Sequence, residues 1–196
     1  MIAARARPWR ASSMRAMRRL LVIPAVFACA LSVAGCFNKH EVTVAETEGI
    51  YLDVDELKYQ VQISRYMNPN DVEDSAYLAG LPQSTAQPTG EETWFGVFLR
   101  VQNVTDGTIV PARDFEIIDT QENVYRPVPL DNPFAYKPDP IGPQSLVPRP
   151  DSVASTTTVQ GSLLLFKVTT TSLQNRPLEF RFRGTEGTQG VVDLDV

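Results

Sequence analysis

The chain has 196 residues and a formal net charge of −5, a length that suits one domain with additional segments. The charge is divided: residues 1–35 hold six arginines and no acidic residue, whereas residues 36–196 carry 12 Lys+Arg against 23 Asp+Glu, a net −11. So acidic a body speaks against a nucleic-acid partner, which needs a basic face, and resists adsorption to anionic lipid.

The first element is an address. "MRAMRRL" is a positive n-region and "LLVIPAVFACALSVAG" an apolar run of 16 residues. That is short of the roughly 20 residues a membrane span needs, and Pro24 interrupts it. Residues 1–35 therefore read as a signal peptide. Met14 and Met17 are alternative starts to Met1, and Arg18-Arg19-Leu20 loosely matches a twin-arginine export signal. Val33-Ala34-Gly35-Cys36 closes the run with an aliphatic residue, two small residues and a cysteine. This arrangement resembles a bacterial lipoprotein precursor. The resemblance implies cleavage between Gly35 and Cys36 and a diacylglycerol on the Cys36 thiol. A plain secretory cut near Ala34 is the alternative.

Cysteine usage limits the chemistry further. Cys29 lies in the apolar run and leaves with it, and Cys36 is the only other cysteine. With its thiol alkylated, the mature body has no disulfide, thiolate metal site or cysteine nucleophile. His40, the sole histidine, falls in a polar segment at 36–49 that reads as a tether, within which "HEVTVAE" alternates weakly and offers a short edge strand that would shorten it. A tether cannot hold a general base in geometry, so Ser-His-Asp catalysis and multi-histidine metal sites are not expected.

Beyond the tether, strand patterns dominate and predict a β domain over 50–196. In "ELKYQVQIS", Leu57, Tyr59, Val61 and Ile63 alternate with polar residues, which predicts one buried face. "TWFGVFLRVQNV" is apolar throughout, as a central strand covered on both sides would be. "DFEIID" and "NVYRPV" flank a turn at 120–122 and predict a hairpin. "GSLLLFKV", "PLEFRFR" and "GVVDLDV" supply three more strands, the last two with clean alternation. One helix is expected, over 72–81, ending at Leu81-Pro82. Six or seven short strands predict an all-β, antiparallel sandwich.

Two long segments lack a strand pattern. Residues 68–93 are polar, and residues 127–150 hold 8 of the 15 prolines. Proline cannot donate to a ladder, so the second segment is expected to lie over the sandwich through Phe134, Tyr136 and Ile141. "VFLRVQN" ending in Asn103, the hairpin carrying Tyr125, and the glycine of "TVQGSLLLFKV" occur in an order similar to the domain of unknown function 4352 family. The resemblance extends to that family's neighbours with the fold of the mycobacterial immunoprotective secreted antigen. The resemblance implies an immunoglobulin-like fold behind a lipoprotein signal, and it brings no catalytic residues. The proline-rich insert departs from the pattern.

The remaining candidates are weak singly. Asp53, Asp55 and Glu56, and then Asn68, Asn70, Asp71, Glu73 and Asp74, offer oxygen ligands for Ca²⁺ or a carboxylate pair for hydrolysis. Their spacing matches no calcium loop, and a solvated acidic surface is the plainer account. Trp94, Phe95 and Phe98 are expected in the core rather than on a ligand shelf, and Asn103-Val104-Thr105 is a glycosylation sequon. Arg181 and Arg183 are expected solvated or paired across strands.

The sequence thus predicts a lipoprotein on the extracytoplasmic side of the cell membrane. Its expected role is a non-enzymatic interaction module for an envelope or secreted protein, with no cofactor and no metal, using the loops at 68–93 and 127–150. A small-ligand or Ca²⁺-binding lipoprotein is the alternative, and a carboxylate-based hydrolase a more distant one.

Overall fold

A computed structural model describes residues 41–196. The expected signal peptide at 1–35, Cys36 and His40 lie outside the described residues. Ten strands form β1 (Val44–Ala45), β2 (Leu52–Val54), β3 (Leu57–Met67), β4 (Glu92–Asn103), β5 (Asp114–Ile118), β6 (Val124–Tyr125), β7 (Leu146–Val147), β8 (Ser162–Thr169), β9 (Leu178–Arg183) and β10 (Gln189–Leu194). Helix α1 spans Val72–Leu78, a short α2 spans Val153–Thr156, and a 3₁₀ turn follows β8 at Thr170–Gln174. One sheet has the order β1-β10-β9-β5-β6; the other runs β2-β3-β4, with β7 and β8 both paired to the far side of β4. The two sheets close on one core, the expected all-β sandwich.

Alternation explains that core. Leu178, Phe180 and Phe182 of β9, and Val192 and Leu194 of β10, point inward against Tyr59, Phe95, Val97 and Phe166 of the facing sheet. Phe115 stacks on Phe180 at a centroid distance of 5.7 Å, and Tyr59 meets Phe182 at 4.7 Å. Each such side chain contributes about 1.5–3 kcal/mol by leaving water.

Three expectations need correction. The tether is shorter than 36–49, because "HEVTVAE" does supply a short edge strand: β1 pairs with β10, Ala45 is buried, and Thr47 donates to Asp195. The β1–β10 pairing is parallel, so that sheet is mixed and not purely antiparallel. In β3 the register against β4 shifts between Val61 and Ile63. This bulge turns Ile63 to the outer face, 37% exposed, and brings Ser64 and Tyr66 inward in its place. Ser64 is satisfied there by Glu48, which accepts from both its amide and its hydroxyl.

β4 is covered on both faces, as its composition predicts. Phe95, Val97, Leu99 and Val101 face the main core. Trp94 and Phe98 face outward into a second cluster with Met67, Tyr77, Leu163 and Leu165. Helix α1 and the proline-rich segment roof that cluster through Leu78, Leu81, Val128, Leu130 and Phe134. Asp71 caps α1 by accepting from the amides of Glu73 and Asp74. The helix ends three residues before the expected stop, because the chain turns at Gly80.

Gly80 is where the two long segments meet. Its φ is +82°, and a Cβ there would lie 2.1 Å from the Asp131 carbonyl oxygen. Asp131 in turn donates its amide to the Gly80 carbonyl at 3.2 Å. Gly80→Ala is expected to destabilise the domain by about 2 kcal/mol or more, read as a lowered denaturant midpoint. Faster hydrogen exchange in residues 72–81 and 128–136 would accompany it; unchanged exchange there would contradict this account.

The proline-rich segment also covers the outer edge of β8. Val128 donates to the Leu165 carbonyl at 2.8 Å, Leu163 to Phe134 at 2.7 Å, and Tyr136 to Leu163 at 2.9 Å. It therefore supplies ladder hydrogen bonds where a neighbouring strand would, while its prolines cannot extend the pairing.

Candidate functional site

The structure redistributes most of the candidates. Trp94, Phe95 and Phe98 are 1%, 0% and 0% exposed, so these three form no ligand shelf. Asn103 is fully buried and cannot serve as a glycosylation acceptor. Its Nδ2 donates to the carbonyls of Gly107, Ile141 and Gly142 at 2.7–3.0 Å. Its Oδ1 accepts from the amide and hydroxyl of Thr105. The sequon residue is the anchor of the proline-rich segment.

The acidic residues are largely engaged in structural contacts. Asp53 pairs with Lys58 at 2.5 Å. Asp55 and Glu56 form the β2–β3 turn, both with positive φ, so Asp53 and Asp55 do not share a strand face. Asp55 instead accepts from the amides of Glu186 and Thr188. Asp74 is buried, pairs with Arg65 at 2.5 Å and accepts from the Asn68 amide. Among the described residues no three acidic or histidine side chains converge as a metal site would require.

A carboxylate outside the predicted set is the most tightly held. Asp119, at the end of β5, is 4% exposed. Its Oδ1 accepts from the amides of Gln121 and Asn123, both at 2.9 Å. Its Oδ2 accepts from Asn123 Nδ2, Ser172 Oγ and Asn175 Nδ2 at 2.7–3.1 Å. Burial alone would raise this carboxyl, but the hydrogen bonds outweigh burial and hold it well below the ordinary carboxylate range. Tyr125 joins the same network through the Thr169 and Ser172 hydroxyls. The network ties the hairpin of one sheet to the turn leaving the other, which is a structural task.

Two buried tyrosines act likewise. The Ala112 amide donates to the Tyr59 hydroxyl at 2.8 Å, and the Tyr136 hydroxyl donates to the Ala112 carbonyl at 3.0 Å. Burial pushes the Tyr59 phenol up to about 12 and Tyr136 well above its usual value, so both are neutral.

Among the open depressions of the described residues, two coincide with predicted candidates. The first, about 510 Å³, lies within the proline-rich segment and is lined by Lys137, Asp139, Ile141, Leu146, Val147 and Arg149 among others. Its walls are stiff: Asn132 bonds the carbonyls of Tyr77 and Ala79 and the amides of Phe134 and Ala135. Of the two loops expected to make contacts, residues 68–93 line a smaller depression of about 280 Å³, and the proline-rich segment lines this larger one. The second depression, about 470 Å³, lies on the outer face of the β5-β9-β10 sheet between Arg113, Arg126, Arg181 and Arg183. Only Arg181 and Arg183 were readable as a pair, from alternation in β9; Arg113 and Arg126 reach the same place from either side of the β5–β6 hairpin.

No family model matches this chain, and no curated protein does. Several solved structures are similar to it. A candidate lipoprotein (ycdA) of Bacillus subtilis aligns at 12% identity and a TM-score of 0.48, over 77% of this chain and 39% of that one. An uncharacterized β-sandwich protein of Clostridium difficile aligns at 9% identity and a TM-score of 0.40, over 81% of this chain and 99% of that one. A candidate ApaA protein of Bordetella pertussis aligns at 15% identity and a TM-score of 0.32, over 77% and 91%. The chain thus spans well under half the length of the Bacillus protein.

Proposed function

We infer that this chain is a bacterial lipoprotein, held by Cys36 on the extracytoplasmic side of the cell membrane. Its sandwich serves as a non-enzymatic interaction module for an envelope or secreted protein. The observation that carries the reading is Val33-Ala34-Gly35-Cys36 behind a basic and then apolar segment. Among the described residues no helix is long and apolar enough to cross a membrane.

The contact surface in this reading is the depression in the proline-rich segment. Its rim is exposed at Lys137, Asp139 and Arg149, and its backbone is already ordered by Asn103 and Asn132. A pre-ordered surface loses little entropy on binding. The engagement of Asp55, Asp74 and Asp119 in turns, an ion pair and a hydrogen-bond network favours this role over Ca²⁺ binding or hydrolysis. We also assign the domain to the neighbourhood of the domain of unknown function 4352 family. The three residues carrying that resemblance have structural reasons to be there. Asn103 anchors the loop, Tyr125 joins the Asp119 network, and a Cβ at Gly161 would lie 2.9 Å from the Phe98 Cβ.

Mass spectrometry of the mature protein tests the anchor. An N-terminal peptide beginning at Cys36 with diacylglycerol attached is expected. Cys36→Ala should abolish lipid labelling and leave the uncleaved precursor; an unlipidated wild-type N-terminus would overturn the reading. For the interaction, crosslinking on intact cells should enrich a partner that K137E/R149E loses, and equal recovery by wild type and variant would count against this surface.

A further inference from the structure

The arginine depression raises a problem of charge. In a body of net −11, with carboxylates in excess, four guanidinium groups surround one concavity. The strand register explains the gathering. On the outer face, Asp114 pairs with Arg183, and Arg183 with Gln189; one step along, Glu116 pairs with Arg181. Arg126 joins Glu116 at 3.6 Å, and Arg181 is held by Glu179 on its own strand. Arg113 and Arg183 are exposed and make no ion pair with a described residue, even though Asp114 lies directly across from Arg183. The floor is rigid, since Phe115 and Phe182 are buried beneath it and Gly190 leaves room for the Phe182 ring.

The chemistry of such a place is specific. A guanidinium presents a planar fork of donors that matches the oxygens of phosphate. Two unpaired forks on one rim, with Arg126 and Arg181 behind, suit an anion bearing several oxygens. The acidic residues of the depression, Asp114 and Glu116, offset part of the charge and leave a local surplus of two positive groups over the six. At about 470 Å³ the space admits a phosphate with several attached atoms, as in a glycerophosphate headgroup. The net acidity of the domain does not prevent this, because charges beyond about 8–10 Å are largely screened at physiological salt.

The geometry points to a phosphate-binding site formed by Arg113, Arg126, Arg181 and Arg183 on the outer face of the β5-β9-β10 sheet. It does not rest on the anchor reading, because the site is complete within residues 113–189. The ligand phosphate comes either from a soluble monoester or from a phospholipid headgroup. β1 runs parallel to β10, so residues 41–43 enter the fold beside Gln189, at the end of the sheet that carries Arg183.

The test uses the soluble chain from residue 37 onward, with arginine side-chain NMR as the readout. Titration with glycerol phosphate should shift the Nε–Hε signals of Arg113 and Arg183, with saturation in the millimolar range that weakens as salt rises. R113Q/R183Q should weaken binding at least tenfold while retaining the wild-type melting profile. In a parallel arm, vesicles of phosphatidylglycerol are compared with phosphatidylcholine by sedimentation. Saturable binding of glycerol phosphate assigns a soluble ligand; loss of vesicle binding in R113Q/R183Q assigns the headgroup. No shift of these signals with either phosphate source, or equal binding by R113Q/R183Q, would overturn the site.

Discussion

Asn103→Ala is expected to lower stability by about 3–4 kcal/mol, a fall in melting temperature of about 10 °C. The side chain is fully buried, and it holds three carbonyls from two separate stretches of chain. Alanine removes the donor and leaves the Ile141, Gly142 and Gly107 oxygens without that partner. A cost near 1 kcal/mol for each, plus the lost Thr105 contacts, gives the estimate. Asn103→Asp separates this account from simple loss of volume. An aspartate is almost isosteric and still accepts from Thr105, but it sets a carboxylate oxygen against three carbonyl oxygens. It should therefore be worse than alanine. If aspartate proved milder than alanine in thermal melts, the donor role would be wrong.

Asp119 gives the second large effect, and its sign depends on pH. The folded-state carboxyl titrates below its unfolded value, so the network contributes fully above about pH 4. That contribution declines as pH falls from there toward the folded value. Asp119→Ala should cost about 3 kcal/mol at neutral pH, because Ser172, Asn123 and Asn175 lose a charged acceptor in a buried place. Asp119→Asn should cost somewhat less but abolish the pH dependence that belongs to this site. The difference in unfolding free energy between wild type and Asp119→Asn, measured by urea from pH 7 down to pH 2.5, should shrink steadily below about pH 4. A difference that stays constant across that range would show that the carboxylate charge contributes nothing.

The parts of this fold that were legible in the sequence share one property: each is decided by local periodicity. The alternation of β9 and β10, the all-apolar β4 and the hairpin around residues 120–122 read correctly because strand and turn patterns repeat over a few residues. The proline-rich segment was legible for the same reason, through what proline forbids. What was not legible depends on partners distant in sequence. Gln62 gives no sign of the bulge, since the shift is settled by β4 across the ladder. Asn103 reads as a sequon until Ile141 is placed 38 positions away against its amide. The arginine site needs Arg113 and Arg183 brought together by strand pairing, which no spacing encodes.

The cover on β8 has a further consequence. A chain anchored by lipid is confined to a plane, where neighbouring copies meet far more often than in solution at the same number per cell. Under that crowding an open strand edge is a template for lateral polymerisation. Here the edge carries residues 127–136, joined to it through the amides of Val128, Leu163 and Tyr136 and punctuated by Pro127, Pro129 and Pro133. On the proposed anchor, the proline-rich segment would close the one β8 edge through which crowded copies of this domain could pair.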